Sequence, residues 1–335
     1  MKIAVFSCKS YDEEFLTRAN AALLEQGSQH QLVFHYTPLN TNTVALAQHC
    51  EAVCCFVNDH LDAAVLQQLA AGGVRLIALR CAGFNHVDLL AAQHYGITVA
   101  RVPAYSPHAV AEHTLGLILM LNRHLHRAYN RVRENDFSLN GLLGFDLQNK
   151  TVAIIGTGKI GQVLAGIMLG IGCKVIAYDP CPDQQLIARG VRYLSLDDIW
   201  AQADIVSLHC PLTSETHHLI NATVIAQMKK GVMLINTGRG GLIDTPAVIA
   251  GLKAKTLGHL GLDVYEEEGD LFFENKSDQV LQDDTFARLL TFPNVVITGH
   301  QAFFTREALT AISEITLANI DHFARGQLQQ VCTVE

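Results

Sequence analysis

An arginine, a glutamate and a histidine each follow a short apolar run in the second half of this chain. Arg239 stands in VMLINTGRGG, Glu268 in HLGLDVYEEEGD and His300 in NVVITGHQAF. Apolar runs of this length bounded by Gly, Asn and Asp read as buried strands. In open parallel sheets, ligands bind beyond the carboxyl ends of such strands. A histidine, a carboxylate and a guanidinium gathered there suit proton-coupled hydride transfer to a 2-oxo acid. The imidazole gives a proton to the carbonyl oxygen. The carboxylate orients the imidazole and favours its charged form. The guanidinium holds the substrate carboxylate with a two-pronged grip that lysine lacks. Each residue has a plainer reading as well. The chain carries 16 histidines, Arg239 could sit at the surface in a glycine-rich turn, and residues 266–268 could be a solvated acidic loop. Residue types alone leave both readings open.

Hydride chemistry needs a carrier, and TVAIIGTGKIGQ at 151–162 points to one. Gly156, Gly158 and Gly161 have the G-x-G-x-x-G spacing between a strand and a helix start. The first glycine permits the tight turn, the second lets a pyrophosphate approach the backbone, and the third lets helix and strand pack closely. Free N–H groups at the helix start, near Ile160, would receive the phosphates. Asp179 closes the next apolar run, KVIAYD, where a carboxylate accepts bonds from the ribose hydroxyls. An anion there repels a 2′-phosphate, and residues 180–184 hold no Arg or Lys, so NAD is expected rather than NADP. His217 and His218 are adjacent, but no HExxH or zinc-ligand spacing surrounds them, and no metal is expected.

The elements that must position these groups form an α/β pattern. With 335 residues, 49% of them hydrophobic and 17% charged, the chain is long enough for two soluble globular domains. A net charge of −8 makes nucleic acid and anionic membrane poor partners. The N-terminal MKIAVFS reads as a strand rather than a signal peptide, and no apolar run is long enough to span a bilayer. The nine cysteines include no C-x-x-C pair. Reduced thiols in a cytoplasmic protein are expected.

The first hundred residues alternate candidate strands (KIAVFS, QLVFHY, AVCCFV, VRLIALR, ITVARV) with helices near 12–26, 62–71 and 87–95. The turn after the first strand has no glycine, so this half is not expected to bind a nucleotide. One long helix is expected over 107–135, apolar in its first half and polar in its second. A second series follows: TVAIIG, KVIAYD, ADIVSLH, VMLINT, HLGLDVY and NVVITGH, with helices near 160–169, 221–227 and 245–253. The last helix, 305–325, has no strand after it and is expected to return to the first domain. The reading is thus two doubly wound parallel-sheet α/β domains, a Rossmann domain inserted in a discontinuous one.

The chain resembles the D-isomer-specific 2-hydroxyacid dehydrogenases, most of all their fermentative D-lactate branch. The motifs that carry the likeness run through nearly the whole chain: CEAVCCFVND, LIALRCAGFNHVDL, RVPAYSPHAVAEH, IGTGKIGQ, SLHCPLT, INTGRGGLID, LDVYEEE, DLFFENKSDQV and TGHQAF. The resemblance implies a flavodoxin-like substrate domain of residues 1–103 and 299–335, an NAD-binding Rossmann domain of 104–298, and an active site in the cleft. It implies that His300 and Glu268 form an acid–base dyad and that Arg239 binds the substrate carboxylate. It adds the backbone N–H groups near Ala82 and Gly83 as carboxylate donors, and Tyr105 and Phe303 as walls of a small pocket. For the cofactor it adds Lys159 and Ile160 through their backbone and His209, Cys210 and Pro211 beside the adenosine, with Thr237, Gly238 and Asp263 near the nicotinamide and its ribose. Many relatives have Ser or Ala at Gly238, and Pro and Thr where Gly299 and Gln301 flank the histidine; the Gly–His–Gln pattern is shared by the fermentative branch. The implied reaction is reversible reduction of pyruvate to D-lactate by NADH, in a homodimer or homotetramer. The alternatives are another small 2-oxo acid, such as glyoxylate or hydroxypyruvate, or a non-enzymatic NAD-sensing partner protein.

Overall fold

Val-, Ile- and Leu-rich runs of three to six residues become buried strands, and Asp, Asn, Ser or Thr residues cap many of the helices between them, as Asp62, Asn221 and Asp244 do. The computed structural model describes residues 1–25, 27–28 and 30–334. The chain divides into two compact units: Met1–Ser106 with Phe304–Glu335, and Pro107–Phe303. These divisions fall a few residues after the expected 103/104 and 298/299. Pro107 opens a helix of the second unit, and Gln301 and Ala302 are tied by their amides to Asp263, also in that unit.

The first unit runs β1 (Lys2–Val5), α1 (Ser10–Glu25), β2 (Gln31–Phe34), β3 (Ala52–Cys55), α2 (Ala63–Ala71), β4 (Leu76–Leu79), α3 (Leu89–His94) and β5 (Thr98–Ala100). The expected end of α1, Gln26, lies outside the described residues. The five strands are parallel in the order β2-β1-β3-β4-β5, the flavodoxin-like order. Every residue of β3 and β4 is buried, as central strands covered on both faces require. The glycine-free turn after β1 is filled from within: buried Arg80 donates to the Ser7 carbonyl at 2.7 Å and pairs with Asp12 at 3.2 Å.

The second unit runs α4 (Pro107–Asn122), α5 (Leu125–Arg133), β6 (Thr151–Ile155), α6 (Lys159–Ile171), β7 (Lys174–Tyr178), α7 (Gln184–Ala188), β8 (Arg192–Tyr193), α8 (Leu196–Gln202), β9 (Ile205–Leu208), α9 (Ala222–Gln227), β10 (Val232–Asn236), α10 (Thr245–Lys253), β11 (Leu257–Leu262), α11 (Asp284–Leu290) and β12 (Val295–Ile297). The final helix of the chain, α12 (Arg306–Ala324), packs on α1 in the first unit. There Asn319 donates to the Arg101 carbonyl at 3.0 Å and accepts from the Cys332 amide at 2.8 Å. The seven parallel strands of the second unit lie in the order β12-β11-β10-β9-β6-β7-β8. The chain order reverses between β6 and β9, which makes the carboxyl ends of those strands the switch point where dinucleotides bind. The two-sheet α/β class expected from the sequence is borne out.

The single helix expected over 107–135 is two. His124 takes a left-handed conformation, φ 50°, between α4 and α5. The Asn122 side chain leaves the helix pattern to exchange hydrogen bonds with the backbone of Phe145, at 2.7 and 2.9 Å. α5 buries none of its residues. Leu125, Tyr129 and Val132 on it, and Phe137, Leu139 and Leu143 beyond it, are exposed in this chain. The nine cysteines are free thiols, six of them buried.

Burial lowers five histidines, His30, His35, His124, His209 and His259, below their ordinary 6.5. His209 falls furthest, to about 4. Each holds its proton less tightly folded than unfolded, so the unfolded state takes up more protons as the pH falls. The stability they contribute is complete above 6.5 and is lost as pH drops toward the folded values. The melting temperature should therefore be level from about pH 8 to 7 and fall steadily from about pH 6.5 to 5. A calorimetric scan that stays level over the lower range would contradict this.

Candidate active site

The glycine turn after β6 is built as a nucleotide cradle requires. Gly156 has φ +94°, and a Cβ on it would lie 2.6 Å from the Cys210 amide nitrogen. A Cβ on Gly161 would lie 2.1 Å from the Gly156 carbonyl oxygen. Both are excluded by their own chain, so α6 and β9 close tightly on the turn. Gly158 caps α6, and nothing lies within 4 Å of where its Cβ would stand. That opening, above the first N–H groups of α6 at Lys159 and Ile160, suits an approaching pyrophosphate.

Asp179, after β7, accepts from the Thr157 amide at 2.7 Å and the Cys181 amide at 2.9 Å. Its carboxylate is thereby held at the edge of the turn, with lone pairs left over for ribose hydroxyls. Thr157 is itself held by the Tyr193 hydroxyl at 2.9 Å. That contact comes from β8, a strand the sequence pattern does not announce. His209 and Cys210 follow β9. His209 meets the Ser207 hydroxyl at 2.8 Å and, half-buried with its charged form poorly solvated, is neutral at physiological pH. Burial, helped by the charge of Asp179, pushes the Cys210 thiol up to about 11, so it is no nucleophile near neutrality. Pro211 accepts from the Thr216 hydroxyl at 2.6 Å and shapes the following turn. The donors, the open glycine and the placed acid together fit a dinucleotide.

The histidine and glutamate meet. His300 Nδ1 lies 2.8 Å from Glu268 Oε1, and Glu268 Oε2 accepts from the Tyr265 amide at 3.0 Å. Both side chains are about one-fifth exposed, so the pair is partly dried yet reachable. His300 follows β12 in the left-handed region, φ 51°. Histidine tolerates that region better than most residues, at a cost that surrounding bonds must offset. Asp263, after β11, supplies them. Its carbonyl accepts from the His300 amide at 2.7 Å, and its carboxylate accepts from the amides of Gln301 and Ala302 at 2.9 and 2.8 Å. The Thr298 hydroxyl donates to the same carboxylate, and His113 of α4 stands 3.4 Å from it. Burial works to raise Asp263, but the bonds from His113, Thr298, Ala302 and Gln301 outweigh it and hold the acid below its ordinary range. Fully buried Asp263 thus anchors the loop that carries His300.

Arg239 follows β10 on a rigid turn. Asn236 accepts from the Gly238 amide at 3.0 Å and donates to the Arg239 carbonyl at 2.8 Å. The guanidinium donates once, to the Gly238 carbonyl at 2.8 Å, and no carboxylate pairs with it among the described residues. Its remaining donors are available to an anion. Gly240 must be glycine, because a Cβ would lie 2.2 Å from the Tyr265 carbonyl. That contact seats the arginine turn against the Tyr265–Glu268 turn. Gly238 has room for a Cβ, its nearest neighbours being 3.5 Å away, so the Ser or Ala of relatives would fit. Thr237 is buried with its hydroxyl 2.9 Å from that of Thr114. Phe303 is buried at the end of this unit.

Ala82, Gly83 and Tyr105 belong to the first unit. The Ala82 carbonyl accepts from Arg101 at 3.1 Å and the Gly83 carbonyl from the Cys81 thiol at 3.2 Å, while no acceptor among the described residues takes either amide. Tyr105 is half-buried on the loop after β5. Sequence reasoning did not find three supports in the second unit: the anchoring by Asp263, the need for Gly240, and Phe273, whose ring centre is 5.6 Å from that of His300. The DLFFENKSDQV stretch was the one signal for Phe273. Nor did spacing reveal that Glu266 joins His217 and His218, their ligating atoms all within 4.8 Å.

Comparison with known proteins shows the family. Residues 115–302 match the family described as D-isomer specific 2-hydroxyacid dehydrogenase, NAD binding domain. A 2-hydroxyacid dehydrogenase homolog of Haemophilus influenzae is 53% identical over 328 residues, 98% of each chain. The D-lactate dehydrogenase of Escherichia coli is 50% identical over 327 residues, again 98% of each. The structure of a pyruvate reductase of Chlamydomonas reinhardtii superposes with a TM-score of 0.91 at 45% identity, covering 97% of both chains. The chain is a member of the D-isomer-specific 2-hydroxyacid dehydrogenase family, and NAD is its cofactor.

Proposed function

We propose that this chain is an NAD-dependent D-lactate dehydrogenase that reduces pyruvate, with His300, Glu268 and Arg239 as its working residues. The observation that carries the roles is the His300–Glu268 pair at 2.8 Å, on strand ends neighbouring that of an arginine with no carboxylate partner among the described residues. Relatives at about half identity over nearly the whole chain carry the choice of substrate.

NADH, when bound, supplies the hydride. Gly156, Gly158 and Gly161 with the start of α6 would hold its pyrophosphate and Asp179 its adenosine ribose. With Nδ1 engaged by Glu268, Nε2 of His300 is the nitrogen that carries the transferable proton. It gives that proton to the carbonyl oxygen of the 2-oxo acid as C2 is reduced, and the oxygen stays on C2 as a hydroxyl. Glu268 stabilises the charged imidazole before transfer and fixes its plane. Arg239 neutralises the substrate carboxylate and sets the carbonyl in line. In the reverse direction His300 takes the hydroxyl proton.

α5 and the segment after it expose six large apolar side chains within 19 residues, Leu125, Tyr129, Val132, Phe137, Leu139 and Leu143, and exposed apolar groups of this kind mark contact surfaces. A second copy is the proposed occupant, giving a homodimer or a pair of dimers. No helix of the described residues is long and apolar enough to cross a membrane, and a cytoplasmic site of action is proposed.

Steady-state kcat/KM over pyruvate, 2-oxobutyrate, phenylpyruvate, glyoxylate and hydroxypyruvate tests the substrate. Pyruvate should lead; a tenfold or greater preference for any of the others would end the lactate reading. Asp179→Ala should leave kcat with NADH within about threefold and reduce the preference for NADH over NADPH at least about tenfold, since the charge opposing a 2′-phosphate is gone. Equal discrimination before and after the change would show that Asp179 does not read the ribose.

A further inference from the structure

One cluster of ligating side chains shares no residue with the dyad, Arg239 or the glycine turn, though it packs against Gly241. Adjacent side chains on extended chain point to opposite sides. His218 instead has φ 51°, which bends the backbone so that the rings of His217 and His218 stack, centroids 3.9 Å apart and planes at 22°. The bend is held from several directions. The His218 amide donates to the Gly241 carbonyl at 2.8 Å, the His217 amide to the Thr213 carbonyl at 2.9 Å, and Asn221 to the His218 carbonyl at 3.1 Å. Glu266 arrives from the turn after β11 and pairs with His218 Nε2. Its other oxygen accepts from the Thr245 hydroxyl at 3.0 Å.

We propose that His217, His218 and Glu266 form a site for a zinc-class divalent cation, separate from the hydride-transfer centre. Two imidazoles and one carboxylate are a borderline donor set that suits zinc far better than magnesium or calcium, which prefer oxygen alone. A tetrahedral ion about 2.1 Å from each ligand needs ligand atoms roughly 3.4 Å apart. The present atoms lie within 4.8 Å of one another, and His217, the exposed member, has the freedom to close the difference. Water would take the fourth position. Thr245 already does what an outer partner does for a ligating carboxylate, fixing one oxygen so that the other faces the ion. The His218–Glu266 pair alone would satisfy both groups; the second imidazole stacked beside it is what a cation site explains and an ion pair does not.

The test is calorimetric titration of zinc chloride into the full chain after chelator treatment, beside His217→Ala and Glu266→Gln. The wild type should take up zinc at this site, and each variant should bind it at least tenfold more weakly. Pyruvate turnover of His217→Ala should match wild type, because that ring is outside the dyad and the arginine turn. If Glu266→Gln fails to fold, His217→Ala alone decides, since its side chain is exposed. No zinc uptake, equal affinity in the variants, or magnesium binding as tight as zinc would each overturn the site.

Discussion

Replacing His300 by Gln should lower kcat for pyruvate reduction by about two to four orders of magnitude while NADH affinity stays within about twofold. An amide can still hydrogen-bond a carbonyl oxygen, but it has no proton to give at neutral pH, so the acid step falls to solvent. NADH affinity is spared because the glycine turn follows β6, and β9, β10 and β11 separate that strand from β12. His300 sits at φ 51°, where Gln adds strain that Asn largely avoids. His300→Asn is thus the control: if both variants lose activity alike, the imidazole rather than the backbone is responsible. Melting curves within a few degrees of wild type would complete the separation. Near wild-type turnover in either variant would remove His300 as proton donor.

Arg239→Lys should raise KM for pyruvate and lower kcat together, with kcat/KM falling roughly 10²–10³-fold. One guanidinium nitrogen is spent on the Gly238 carbonyl at 2.8 Å, and that bond aims the rest of the fork. A lysine ammonium can make the same internal bond or meet a carboxylate, but it cannot present two parallel donors while so anchored. The turn itself should survive, because Asn236 bonds the backbone of Gly238 and Arg239 rather than the side chain. A fall in kcat/KM of less than about fivefold would mean that the substrate carboxylate is held elsewhere.

These two residues were legible in the sequence because strand ends are legible. A buried strand is written as a continuous apolar run, and the residue just past it is the one a parallel sheet offers to a ligand. The same logic found the glycine turn, Asp179 and Glu268. What the chain hides is whatever depends on partners distant in sequence. Asp263 looks like one more strand-end acid, yet it is fully buried and spends its carboxylate on the amides of residues 301 and 302, almost forty positions away. Gly240 looks like any loop glycine until the Tyr265 carbonyl fills the space of its Cβ. The break at His124 escaped because no Pro or Gly marks it; a side chain, Asn122, bonds across to Phe145 and the next residues follow. β8 is two residues long, too short to show any period. The spacing around His217 and His218 gives no sign of Glu266, which comes from the turn after β11, on the far side of β10.

Everything chemical rests on an imidazole, steadied by Glu268, that protonates the oxo group of pyruvate while one face only of C2 receives the hydride. The most direct measurement is chiral analysis of the product formed by purified protein given NADH and pyruvate. D-lactate accumulating one-for-one with NADH consumed is the expected result. L-lactate, or NADH that binds and is never oxidised by any small 2-oxo acid, would contradict it.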